Sequence, residues 1–89
     1  MAKYKITFKK SVSKDLRHIP KKDIKCLLNQ VDLLASDPRP EACIKLTAQE
    51  QYRLRIGVYC IIYEIKDAKL IVQVVKVGLR SKVYKNPSL

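Results

Sequence analysis

The sequence predicts an α+β domain: a small antiparallel β-sheet with an N-terminal strand and a helical hairpin packed on one face. Three observations lead there. Tyr52, Leu54 and Ile56 alternate with Arg53 and Arg55, which is the period of a half-buried strand, and the strand runs Tyr59 to Ile65 and Leu70 to Val77 follow. Between 21 and 35, Ile24, Leu27, Leu28, Val31 and Leu34 recur every three or four residues and form the stripe of a helix face. The chain has 89 residues, enough for a single domain, 1–89, with a thin core.

Taken in order, Lys3 to Phe8 alternates Tyr4, Ile6 and Phe8 with polar residues, as a strand does. Val12, Leu16 and Ile19 then mark a short, very basic helix that carries Lys9, Lys10, Lys14 and Arg17. Ile19-Pro20 ends it, because the residue before proline resists helical geometry, and Pro20 suits the first position of the next helix. That second helix runs from Lys21 to Ala35 and closes at Ser36-Asp37-Pro38. Two helices so closely joined form a hairpin lying on a sheet. Cys43 to Thr47 reads as a short strand, with Ile44 and Leu46 alternating with Lys45.

From Gln51 the chain reads as two consecutive β-hairpins. Gly57-Val58 suits a two-residue turn with glycine first, where a positive φ costs least. Asp67-Ala68 is expected to turn the chain again before Leu70 to Val77, and Gly78 breaks the run ahead of Arg80, Lys82 and Tyr84. These turns set a register. Ile56 opposes Tyr59, Arg55 opposes Cys60 and Leu54 opposes Ile61 in the first hairpin. In the second, Glu64 opposes Ile71, Ile62 opposes Gln73 and Cys60 opposes Val75. Leu54, Ile56, Tyr59, Ile61, Tyr63, Ile65, Leu70, Val72 and Val74 then share the face under the helices. Arg53, Arg55, Cys60, Ile62, Glu64, Ile71, Gln73 and Val75 share the other. A slip of one residue would bury Arg53 and Arg55, so the charge supports this register. The apolar residues of the second face call for a cover: a base, a ligand or the C-terminal segment.

The formal net charge is +11. Such an excess on a small surface costs self-repulsion, and an acidic partner relieves it. Nucleic acid leads, because phosphate contacts release counterions, ahead of an acidic protein and an anionic membrane surface. Cys26, Cys43 and Cys60 are odd in number and lack CxxC spacing, which argues against a disulfide framework and a zinc site and for a reducing compartment. No stretch approaches a signal peptide or a membrane span, so a cytoplasmic protein is expected.

With those residues placed, YRLRIG, YCIIYEI and VGLRSKVY, behind a basic helical hairpin, resemble in order and length the RelE-type toxins of the RelE/ParE superfamily of type II toxin–antitoxin systems. The resemblance implies an endoribonuclease that cuts mRNA in the ribosomal A site by attack of the ribose 2′-OH on the adjacent phosphate. No metal or other cofactor is implied. It implies a RelB-like antitoxin, the ribosome and mRNA as partners, a toxin–antitoxin hetero-oligomer, and no membrane. The family's catalytic positions fall on Arg53, Arg55, Arg80 and Tyr84. Two positions depart: Cys60 stands where the family's GxYR motif has arginine, and Leu79 follows the VG pair where histidine or lysine is common.

Arginine offers phosphate a planar fork but holds its own proton, so Arg53 and Arg55 suit charge stabilisation rather than proton abstraction. Arg80 suits the transition state or the leaving oxygen, and Tyr84 a base stack or a proton relay. His18, the one histidine, reads as a cation at a helix C-terminus rather than a catalyst. The same residues admit two other functions: a ParE-like toxin that inhibits DNA gyrase without cutting RNA, and a degenerate member that only binds RNA or its antitoxin.

Overall fold

The computed structural model describes residues 3–41, 43–46 and 51–79. The elements are β1 (Lys5–Phe8), α1 (Lys10–Leu16), α2 (Lys21–Leu33), β2 (Cys43–Lys45), β3 (Gln51–Ile56), β4 (Tyr59–Lys66), a 3₁₀ turn over Asp67–Lys69, and β5 (Ile71–Leu79). The five strands form a single sheet in the order β1-β5-β4-β3-β2. The α+β class holds, with a layer of two helices on the sheet. From β2 to β5 the sheet is antiparallel, as expected, and it is mixed overall because the N-terminal strand β1 runs parallel to β5. Hairpins force β2 to β5 to alternate in direction. No hairpin joins β1 to its partner, so its direction is set by the helical crossover that follows it.

The helix layer seals the predicted face. Val12 of α1, Leu27 and Val31 of α2, and Leu34 just beyond α2 are buried in one cluster with Leu54, Ile61, Tyr63, Ile65, Val72 and Val74. Burying each such side chain is worth about 1.5–3 kcal/mol. Leu28, expected on the same stripe, is 37% exposed. α2 ends two residues earlier than its pattern predicts, because the last turn tightens, with Leu34 and Ala35 donating to the carbonyls three residues back.

The first hairpin forms in the expected register, with Ile56 opposite Tyr59, Arg55 opposite Cys60 and Leu54 opposite Ile61. Gly57 has φ of 58°, the left-handed conformation that its lack of a Cβ permits. The second hairpin differs. Its connection is the 3₁₀ turn plus Leu70, itself left-handed at φ 54°. Lys66 therefore opposes Ile71, and Glu64 opposes Gln73 instead of Ile71. A shift of two residues keeps every side chain on its face. Leu70 leaves the core for the turn and is exposed.

Between Ile62 and Tyr63 the β4–β5 ladder shifts again by an extra residue. Tyr63 opposes Val74, but Ile62 opposes Lys76, so Val75 is bulged. Past the bulge, Val77 rather than an even-numbered neighbour enters the core, opposite Ile61.

Tyrosines tie the segment after α2 to the sheet. Tyr52 and Tyr63 stand directly opposite on β3 and β4, with ring centroids 5.9 Å apart. The Tyr63 hydroxyl donates to the Pro38 carbonyl at 2.8 Å, while Arg39 lies over the Tyr52 ring, 5.4 Å from its centroid, and donates to its hydroxyl at 3.1 Å. Burial pushes the Tyr63 phenol far above its ordinary value.

Candidate nucleic-acid interface

The face of the sheet away from the helices is organised in rows across the strands. One row runs Ile44, Arg53, Ile62 and Lys76 over β2, β3, β4 and β5. The next runs Arg55, Cys60 and Gly78. Residues two apart on a strand point the same way, so Arg53 and Arg55 project from one face about 7 Å apart along β3. Arg53 is half-buried and Arg55 exposed. The alternation that keeps Leu54 in the core is what holds both guanidinium groups outside it.

The apolar middle of this face is covered. Cys60 and Ile62 are buried in a second, small cluster, against which Leu46 and Val75 pack. The Cys60 thiol is thus in the interior of the face rather than on its surface. Further along, Gln51 donates its side-chain amide to the Glu64 carboxylate at 3.3 Å, a cross-strand pair beside the row that holds Arg53.

Of the four sequence-predicted site residues, the structure brings Arg53 and Arg55 together; Arg80 and Tyr84 lie outside the described residues. The bulge adds a cation that the sequence reading missed. Because two β5 residues oppose Ile62, Lys76 joins the row of Arg53, about 10 Å from it across two strand spacings. The sequence carried no signal of it: that Val74 and Val77, which differ in parity, both enter the core is seen only in the fold.

Among the described residues, β1 pairs only with Ile71 to Val74, so on the side away from β4 no strand lies beside the end of β5. There the Asp15 carboxylate of α1 accepts the Val77 backbone N–H at 3.3 Å. A cavity of about 290 Å³ opens beside it, lined by His18, Tyr59 and Lys76 among others. The Tyr59 hydroxyl donates to Asp23 at 2.8 Å, and that carboxylate raises the phenol pKa. Among the described residues, no helix is long and apolar enough to cross a membrane.

The family model described as "ParE toxin of type II toxin-antitoxin system, parDE" matches residues 6–84. A curated Methanocaldococcus jannaschii protein named "Putative toxin RelE1" is 28% identical over 89 residues, spanning 96% of this chain and 99% of that protein. Among solved structures, the archaeal RelE–RelB complex from Pyrococcus horikoshii has a chain that superposes with a TM-score of 0.79 at 28% identity, over 92% of this chain and 99% of that one. A double arginine-to-alanine variant of Escherichia coli toxin RelE, in complex with an antitoxin RelBc peptide, gives 0.76 at 28% identity, over 96% and 93%.

Proposed function

We propose, for a chain that belongs to the ParE toxin family of type II toxin–antitoxin systems and is RelE-like, that its toxic activity is ribosome-dependent cleavage of mRNA in the A site. The observation that carries the reading is the shared face of Arg53, Arg55 and Lys76, on a chain of net charge +11. Cations on a rigid sheet suit a phosphodiester whose charge grows in the transition state.

In this reading the ribose 2′-oxygen attacks the neighbouring phosphorus. The new O2′–P bond forms as the P–O5′ bond breaks, O2′ gives up its proton and O5′ takes one up, leaving a 2′,3′-cyclic phosphate and a 5′-hydroxyl. Arg53 and Arg55 hold the phosphate oxygens by charge-assisted hydrogen bonds. Arg80 neutralises the leaving oxygen, and Tyr84 relays a proton or stacks on a base; both roles come from the family resemblance. Cys60 cannot supply the cation that its position has in the family pattern, and Lys76, in the adjacent row, is assigned that part. The family resemblance implies no metal in this reaction.

A RelB-like antitoxin is the proposed partner, since the P. horikoshii and E. coli relatives were solved with RelB chains or peptides. Acting on translating ribosomes, the toxin works in the cytoplasm.

Induced expression followed by mapping of mRNA ends tests the reading. Cuts at fixed codon positions are expected, and replacing Arg53, Arg55 and Arg80 together by alanine should relieve growth arrest. The matching family carries the ParE name and Cys60 is a buried thiol, which favours gyrase inhibition as a second reading. Intact messages with damaged or relaxed DNA would establish that alternative.

A further inference from the structure

Apart from Lys76, the residues around the cavity at the end of β5 take no part in the chemistry above. Asp15, His18, Ile19 and Tyr59 bound it on the helix side, and Lys76 and Gly78 line it from β5. It exists because β1 stops at Phe8 and α1 takes over alongside the last residues of β5, with Asp15 accepting Val77 N–H. At about 290 Å³ it lies at the lower end of ligand cavities, which run roughly 300–1,000 Å³, and so suits a single ring system.

Two of its lining residues also belong to the rows of the arginine face. Lys76 shares the row of Arg53, and Gly78 shares the row of Arg55. Two strand spacings, about 10 Å, separate Arg55 from Gly78. Gly78 has no side chain to stand between the face and the cavity. A strand of RNA on the arginines therefore passes close to a ring-sized hole.

We propose that this cavity is a nucleobase subsite, receiving a base of the same RNA whose phosphate lies on Arg53 and Arg55; it rests on the nuclease reading. Ile19 and the Tyr59 ring give the base an apolar and aromatic wall. The Tyr59 ring is held in place by its hydrogen bond to Asp23. Lys76 stands where the base's own phosphate would pass. Asp15 spends part of one oxygen on Val77 and retains lone pairs for amino protons of a base. Adenine, guanine and cytosine carry an exocyclic amino group, whereas uracil can offer only its ring N3–H, so the subsite favours the amino-bearing bases over uracil. His18 borders the opening and can donate to or accept from a base edge.

His18 is the chain's single histidine, so its ring gives one set of NMR signals. The full chain is titrated with AMP, GMP, CMP, UMP and inorganic phosphate while those signals and the Tyr59 ring are followed. Saturable shifts are expected with the amino-bearing nucleotides, weaker ones with UMP, and none with phosphate at the same concentration. Asp15→Asn keeps an acceptor for Val77 N–H, and it should reduce the preference over UMP about tenfold, the scale of one lost base contact. An unchanged amide spectrum elsewhere verifies that this variant is folded. Equal shifts with phosphate and nucleotides, or no shift at either residue, would overturn the proposal. Base binding without any mRNA cleavage in cells would remove the nuclease reading and leave the base site standing.

Discussion

The Arg39 guanidinium lies 2.8 Å from the Asp67 carboxylate, joining the segment after α2 to the turn between β4 and β5. Tyr4, just before β1, donates its hydroxyl to the same carboxylate at 2.6 Å. Three parts of the chain far apart in sequence thus meet on one side chain. The hydrogen bond from Arg39, and then that from Tyr4, holds the Asp67 carboxyl below the usual carboxylate range. A carboxylate with a lowered folded pKa stabilises the fold above its unfolded pKa and ceases to as pH falls through the folded one. Asp67→Asn should therefore melt a few degrees below the parent at neutral pH, and the gap should close in acid. The pair is exposed, so a large difference at neutral pH would mean that the clip holds more than these contacts. Thermal unfolding followed by circular dichroism across the acid range measures it.

Tyr63 is fully buried, with its hydroxyl on the Pro38 carbonyl. Tyr63→Phe is expected to cost about 1 kcal/mol, the net worth of one hydrogen bond plus the loss at its partner. Tyr63→Ala should cost about 3–5 kcal/mol, as large aromatic truncations in a core do. Urea denaturation of both variants tests the ratio. Equal losses would show that the hydroxyl, not the ring, anchors the segment after α2.

The three thiols differ in access: Cys26 is exposed, Cys43 half-buried and Cys60 buried. A thiol reagent should modify Cys26 fast, Cys43 slowly, and Cys60 only at the rate of unfolding. Mass spectrometry of partly labelled protein gives the order. Early labelling of Cys60 would mean that the small cluster of Cys60, Ile62, Leu46 and Val75 opens readily.

Lys76 is expected to act with the arginines in binding RNA. Single alanine replacements of Arg53, Arg55 and Lys76 should each reduce the slope of log affinity against log salt by about 0.7 on a single-stranded oligonucleotide. Lys25→Ala, on the helix layer behind the sheet, should leave that slope unchanged. Filter binding across a salt series measures all four. A flat response of Lys76→Ala would remove it from the interface.

Much of this architecture could be read from residue order. Along β3 and the β3–β4 hairpin, alternation and a two-residue glycine turn leave a single register that keeps Arg53 and Arg55 out of the core, and that register forms. The stripe through Leu27, Val31 and Leu34 is equally plain because a helix repeats its face every three to four residues. The β4–β5 hairpin was harder. Nothing local favoured a two-residue turn at Asp67-Ala68 over a longer one that places Leu70 at positive φ, so the expected partner of Glu64 fell two residues short, and past the bulge those of Ile62 (Gln73 for Lys76) and Cys60 (Val75 for Gly78) fell three short.

The sequence by itself determined the class, the order of elements and the face on which the β3 arginines stand, because each follows from periodicity and from the cost of burying charge. Tertiary structure alone decided the parallel pairing of β1 with β5, the bulge at Val75 that sets Lys76 in the row of Arg53, and the cavity where Asp15 meets the end of β5. Those features depend on which strand ends first and what packs against the remainder. That is a relation between segments far apart in the chain, and no local pattern encodes it.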